Sequence, residues 1–189
     1  MVLGAIDSDA YRFVLVLHIT AVVIGIGAMY LNGLYGAQAK ARRGPEGLAI
    51  AEANFKVSMF AEYFIYAIPV FGIALVFMSD HVIKFSQTWI WLSIVLYIVA
   101  LGVSHGMVIP TAKKMQALMK ELNAMGPPPG AGGGPGTGGP PPGAGGPPPQ
   151  VAQLEALGKK IGTGGAILNV LTVALIVLMV WKPGALHVF

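Results

Sequence analysis

The stretch YRFVLVLHITAVVIGIGAMYLNGLYGA, residues 11–37, decides the fold of this 189-residue chain. Arg12 is its only charged residue, and about 20 apolar residues in an α-helix cross the roughly 30 Å core of a bilayer. Residues 57–78, 89–109 and 161–181 form three further stretches of this kind. The sequence therefore predicts an all-α protein, a four-helix transmembrane bundle with up-down topology and helices that extend beyond the membrane.

The overall composition favours lipid over water as the solvent of this chain. Hydrophobic residues make up 55% of the sequence and charged residues 11%, whereas a soluble domain carries roughly 25% charged residues. The net charge is +4, without a basic patch interleaved with aromatic residues, so we expect no nucleic-acid partner. The absence of cysteine excludes disulfides, thiolate metal sites and covalent haem attachment.

The distribution of basic residues predicts the orientation of the spans. Nine of the twelve Lys and Arg residues lie between spans one and two or between spans three and four; only Arg12, Lys84 and Lys182 lie on the other side. The positive-inside rule then places both long connections in the cytoplasm and both termini outside it. We expect a multi-pass protein of a bacterial inner membrane, with its cytoplasmic lysines near anionic lipid headgroups.

The segment 126–149 consists almost entirely of Gly and Pro. It lacks a strict three-residue Gly period, which excludes collagen, and it offers no side chains for a core. We expect a disordered cytoplasmic linker; a docking site for a polyproline-binding domain is the alternative. Apolar residues at helical spacing on both sides of the linker predict two helix extensions that pack together. A third short helix is expected in the first loop, beginning near Pro45.

Ionisable residues inside a membrane are costly and mark the places where function is expected. On span one, His18 shares a helix face with Gly25 and Asn32, and with the small residues Ala21, Ala28 and Gly36. Two interpretations fit this stripe. The small residues permit close helix packing, or they leave room for a flat ligand whose metal is bound by His18. The spacing alone favours packing.

A second polar level is expected near the cytoplasmic side, where Glu62, Tyr66 and His105 lie, with Tyr35 and Asn169 as further candidates. A Glu–His pair can carry protons or fix a ligand tautomer, or it can be a structural ion pair. From the span limits, His18 and His105 lie about 20 Å apart in depth, so they are not expected to share one metal. Pro69 should kink span two and free a backbone carbonyl.

Leu17-His18, Gly25-Ile26-Gly27 and Asn32-Gly33 resemble uncharacterised bacterial four-helix integral membrane proteins. These are distantly similar to the copper-resistance-D-like and HemJ-like families. The resemblance covers about residues 11–115. HemJ-like proteins are associated with haem b and porphyrinogen oxidation and have a histidine in the first helix. The resemblance therefore implies His18 as a ligand of haem b or a related tetrapyrrole.

Two hypotheses of different classes follow, with transport of a metal or small molecule as a weaker third. The first is a protein that binds haem b or a related tetrapyrrole through His18, with a role in electron transfer. The second is a non-catalytic accessory subunit of a respiratory or photosynthetic membrane complex, which associates with other membrane subunits or with itself. The sequence has no phosphate loop, zinc-binding helix or nucleophile elbow, which favours a non-enzymatic role.

Overall fold

The computed structural model describes residues 6–42, 44–125 and 149–183 as four long helices without a strand. The elements are α1 (Asp9–Arg42), α2 (Gly44–Phe77), α3 (Thr88–Val103), a π-helical segment (Ser104–Val108), α4 (Ile109–Ala124) and α5 (Pro149–Trp181). The third, fourth and fifth of these elements form one continuous helix, Thr88–Ala124. The protein is therefore an all-α four-helix membrane bundle, as the sequence predicts. Residues 126–148 of the predicted linker lie outside the described residues, and Pro149 begins α5.

Each of the four helices contains an 18-residue stretch whose mean hydropathy is between 1.9 and 2.3. At most 17% of the residues in any of these stretches are buried inside the protein. Large apolar side chains such as Phe13, Val70 and Val180 point outward instead. A soluble protein buries such side chains, so the bilayer is the environment that covers them.

The connection between α1 and α2 is much shorter than the sequence predicts. The helix expected to begin near Pro45 is present, but it is continuous with the second span as α2, which begins at Gly44, while α1 continues to Arg42. Gly44 has a φ of +55°, a left-handed conformation that glycine adopts without a steric penalty. Gly47 faces the Ala39 carbonyl so closely that a β-carbon would collide with it. The two helices therefore form one long antiparallel hairpin.

Ser79 organises the turn between α2 and α3. Its side chain is completely buried. The Ser79 hydroxyl lies 2.7 Å from the Val76 carbonyl and 3.1 Å from the Ile83 carbonyl, and it accepts a hydrogen bond from the Ile83 N–H at 3.0 Å. Asp80 and His81 follow in left-handed conformations. One hydroxyl thus joins the Val76 carbonyl in the last turn of α2 to the backbone of Ile83 in the turn that follows.

Two further contacts close the bundle, one at each end. Val76, Trp89, Ile90 and Leu178 form a small apolar core where α2, α3 and α5 meet. At the opposite end, two polar contacts join α2 and α4.

Glu52 of α2 and Lys120 of α4 form an ion pair with 2.8 Å between carboxylate oxygen and Nζ. The Gln116 amide donates to the Ala51 carbonyl at 3.1 Å. The hydrogen bond and charge of Lys120 lower the pKa of Glu52 below its usual 4.5, and Lys56 adds to this. Both side chains of the pair remain partly exposed, so the ion pair sets the relative position of the helices more than it stabilises them.

Candidate functional site

The imidazole of His18 lies in the seam between α1 and α2. Its Nδ1 is 3.0 Å from the carbonyl oxygen of Ile68, which can only accept a hydrogen bond, so Nδ1 carries the proton. A β-carbon on Gly72 would lie 3.3 Å from the His18 Cε1. Glycine at this position therefore lets the ring approach α2 closely. In the neutral ring, Nε2 keeps its lone pair, and it has no hydrogen-bond partner among the residues that the structure describes.

Gly25 and Asn32, the other two predicted cofactor residues, also contact α2. A β-carbon on Gly25 would lie 3.0 Å from the Ile65 Cγ1. The Ser58 hydroxyl donates to the Asn32 Oδ1 at 2.9 Å. At Gly25 the packing interpretation fits, because Ile65 occupies the volume beside it. The stripe acts as a packing seam with interhelical hydrogen bonds, which suits a bundle in lipid.

Among the described residues, the seam is closely packed at Gly25 and Gly72. Next to it lies an open apolar cavity of about 280 Å³, smaller than most ligand pockets. It is lined by residues that include Leu17, Thr20, Tyr63, Phe64 and Phe71, and His18 is not among them. Within the described ranges, no three His, Asp or Glu side chains lie close enough to hold a metal together.

The structure brings Glu62, Tyr66 and His105 together. The Tyr66 hydroxyl lies 2.8 Å from the Glu62 Oε1 and 2.6 Å from the His105 Nε2. The third distance, from the His105 Nε2 to the Glu62 Oε1, is 2.8 Å. Three polar atoms on α2 and the π-helical segment thus form a closed triangle, which we call the Glu–Tyr–His cluster.

A hydrogen bond at the other ring nitrogen orients His105. Its Nδ1 is 3.0 Å from the Leu101 carbonyl, which can only accept, so that nitrogen donates. The Nε2 then faces the Glu62 carboxyl oxygen and the Tyr66 hydroxyl.

The π-helical segment positions His105. Pro110 has no N–H for the Gly106 carbonyl, and its ring disturbs the regular helix there. The hydrogen-bond pattern changes there from α-helical to π-helical, and the Ile109 N–H donates to the Ser104 carbonyl, five residues earlier. Single π turns often occur at functional sites. The sequence placed His105 one turn before Pro110 but did not predict the π-helical segment.

Pro69 accounts for a polar contact of Tyr97 that the sequence did not predict. Pro69 cannot donate to the Ile65 carbonyl, four residues earlier in α2. The Tyr97 hydroxyl donates to this carbonyl instead, at 3.1 Å. The freed carbonyl was expected from the sequence; its partner on α3 was not, because the pairing of α2 with α3 is not visible in the sequence.

The two polar levels lie closer together than predicted. His18 contacts the Ile68 carbonyl and lies beside Gly72, whereas His105 contacts Glu62, so six to ten residues of α2 separate the two histidines. At a rise of 1.5 Å per residue this is about 9–15 Å, against the expected 20 Å. Tyr35 and Asn169 are not among the hydrogen-bonded members of the cluster, and both are exposed.

The cluster is open to the outside of the bundle. The side chain of His105 is 45% exposed and that of Glu62 17%. Gly102 and Gly106 lie beside His105, and a β-carbon on either would meet nothing within 4 Å. The cluster and the neighbouring α3 backbone are therefore accessible to a molecule within the membrane.

A family model described as "Predicted integral membrane protein (DUF2269)" matches residues 12–130. The chain belongs to this family. The matched part of the chain contains nearly all of α1 and the whole of α2 to α4, and with them His18 and the Glu–Tyr–His cluster. No curated protein and no solved structure matches the chain. The comparisons thus give no evidence for a similarity to the copper-resistance-D-like or HemJ-like families.

The cluster predicts different effects for two neighbouring tyrosines of α2. Tyr66→Phe removes the hydroxyl that bridges Glu62 and His105, and we expect it to lower the unfolding free energy by about 1–3 kcal/mol. Tyr63 is 73% exposed, so Tyr63→Phe is the matched control and should change little. Unfolding in mixed micelles measures both variants. Equal stability of the two would show that the bridge does not stabilise the bundle.

Proposed function

We propose that this protein is a non-catalytic subunit that associates with another membrane protein inside the bilayer. The observation that carries the proposal is the exposure of the Glu–Tyr–His cluster at membrane depth. Its hydrogen bonds are satisfied internally, yet its charged or strongly polar atoms face outward. Such groups normally face a bundle interior or a protein partner, because lipid solvates them poorly.

The neighbouring surface of α3 supports a protein as the partner. Trp91, Val95 and Ile98 are exposed at helical spacing and lead to Gly102 and His105 on the same face. We call these five residues the α3 outer face. Glycine lets a second helix approach closely, and the imidazole beside it can form an interhelical hydrogen bond when it exchanges one internal partner. A helix on this face would cover the cluster and remove it from lipid.

Single-cysteine crosslinking tests this association, because the chain contains no cysteine. Ile98→Cys carries a photoreactive probe on the α3 outer face. Ile19→Cys on α1 is the control, with an exposure of 52% against 60% for Ile98. In native membranes we expect Ile98→Cys to give one discrete product with a different membrane protein, and Ile19→Cys to give none.

Adding Glu62→Gln to Ile98→Cys should weaken that product, because an amide replaces the carboxyl group that contacts Tyr66 and His105. Lipid adducts alone from both positions would contradict the proposal. A product that contains only this chain would replace the accessory role with self-association through α3.

A second candidate function is the binding of haem b or a related tetrapyrrole through His18. It is favoured by the hydrogen bond from the His18 Nδ1 to the Ile68 carbonyl, since metal-bound histidines commonly donate their other nitrogen to such an acceptor. A bound tetrapyrrole would supply redox chemistry, and His18 would hold its metal. Because Ile65 occupies the space at Gly25, the ligand would have to lie outside the α1–α2 seam.

The optical spectrum of protein purified from haem-replete cells tests this second function. Binding through His18 predicts a Soret band that is lost in His18→Ala. The band should persist in His81→Ala, because His81 lies in the exposed α2–α3 turn. Wild-type protein without the band, or a band that survives His18→Ala, would exclude His18 as the ligand.

The proposed location is a bacterial inner membrane, with both termini outside the cytoplasm. Nine of the twelve Lys and Arg residues lie on one side, which supports this orientation. Lys113 and Lys114 of α4 and Lys159 and Lys160 of α5 are exposed there. Their charge would favour contacts with anionic lipid headgroups.

A periplasmic reporter enzyme fused after Phe189 tests the orientation. We expect activity of that fusion and none from a fusion after Ala124, which ends α4 on the opposite side. The reverse pattern would invert the topology.

A further inference from the structure

Asn169 is an amide in the middle of the last span. At 1.5 Å per residue it lies about 12 Å from Ile161 and about 18 Å from Trp181, the limits of the predicted span. Its side chain is exposed, and none of the hydrogen bonds within the described part of the chain includes it. In hydrocarbon, an amide without a partner is strongly unfavourable. Asn169 therefore differs from His18, Asn32 and the Glu–Tyr–His cluster, which all have partners in the bundle.

Asn169 lies on the face of α5 that points away from the bundle. The inward face contains Gly164, Leu168, Thr172 and Leu178, all buried. A β-carbon on Gly164 would lie 2.6 Å from the Val108 Cγ2, so this face is closely packed. Asn169 shares the outward face with Val173, which is 52% exposed.

The backbone on the outward face of α5 is open. Gly162 and Gly165 lie two turns and one turn before Asn169, and a β-carbon on either would meet nothing within 4 Å. A second helix can therefore approach the backbone closely enough for its side chains to reach the Asn169 amide.

A second copy of this chain satisfies the requirements of Asn169 best. A carboxamide has both donors and an acceptor, so two asparagines can donate to each other. Two copies inserted with the same orientation are related by an axis along the membrane normal. Their Asn169 side chains are then at the same depth, whereas an unrelated partner would need a polar group at that level. No charged residue occurs between Ile161 and Trp181, so no oppositely charged partner is required.

We infer that the outward face of α5 is a homodimer contact in which the Asn169 side chains of two copies hydrogen-bond to each other across a two-fold axis. This face is distinct from the α3 outer face. The homodimer therefore leaves that face free for the partner proposed above.

Substitution of Asn169 tests the contact in the full-length protein. We expect Asn169→Leu to weaken dimerisation in lipid nanodiscs or bicelles by about tenfold, measured by energy transfer between labelled copies at varied protein-to-lipid ratios. Asn169→Gln keeps the carboxamide and should retain most of the dimer. Since residue 169 is exposed in the monomer, helical content and monomer stability should stay unchanged. Wild-type dimerisation in Asn169→Leu would overturn the inference.

Crosslinking in membranes provides a second test that does not alter Asn169. Val173→Cys lies one turn beyond Asn169 on the same face, while Val170→Cys lies about 100° away and is 70% exposed. A short bis-maleimide should join two copies through position 173 and far fewer through position 170. Equal yields from both positions, monomers only, or a product with a different protein would each contradict a homodimer. The crosslinking result at position 173 does not depend on the result at position 98. Either proposal can therefore be contradicted while the other holds.

Discussion

The structure depends on one constraint: inside a bilayer, every backbone N–H and C=O group needs a partner within the protein. Long uninterrupted helices satisfy it at almost every position. Two prolines break the pattern and show how strictly the constraint is met. The Tyr97 hydroxyl takes the donor role that Pro69 cannot fill for the Ile65 carbonyl. Near Pro110, the helix becomes π-helical, and the Ile109 N–H donates to the Ser104 carbonyl. The second adjustment also places His105 in the π-helical segment, and the polar cluster follows from it.

The same solvent explains why α1 and α2 meet through small and polar residues. Lipid is as apolar as leucine, so burying leucine between two helices gives little driving force. Close backbone approach at Gly25 and Gly72, together with the hydrogen bonds of His18 and Asn32, supplies the attraction instead. A stripe of histidine, glycine and asparagine is therefore what a helix seam in lipid requires. It resembles a cofactor site in sequence because both need small residues beside a polar group.

Hydropathy and helical spacing predicted the four helices, because crossing a bilayer imposes length and apolarity on each segment separately. They also identified Glu62, Tyr66 and His105 as residues of similar depth. The relative depth of residues on different helices and the contacts between helices could not be predicted from the sequence. The depth of each histidine and the hydrogen bond of Tyr97 both required knowing which residues of α2 lie beside α1 and α3. The hairpin at Gly44 was missed because Lys40 and Arg42 were interpreted as loop residues, although both belong to α1.

The intramembrane polar groups differ in what they need from their surroundings. His18 lies within the seam, and its Nδ1 already has a hydrogen-bond partner in the Ile68 carbonyl. The Glu–Tyr–His cluster has its hydrogen bonds but faces outward, so a neighbour would improve its solvation without being required for its geometry. Asn169 lacks even the hydrogen bonds among the described residues, which makes a neighbour a stronger requirement there. The family match covers residues 12–130 and therefore includes the cluster but not α5. Association through α5 thus follows from the physics of this chain's own last helix and not from its family membership.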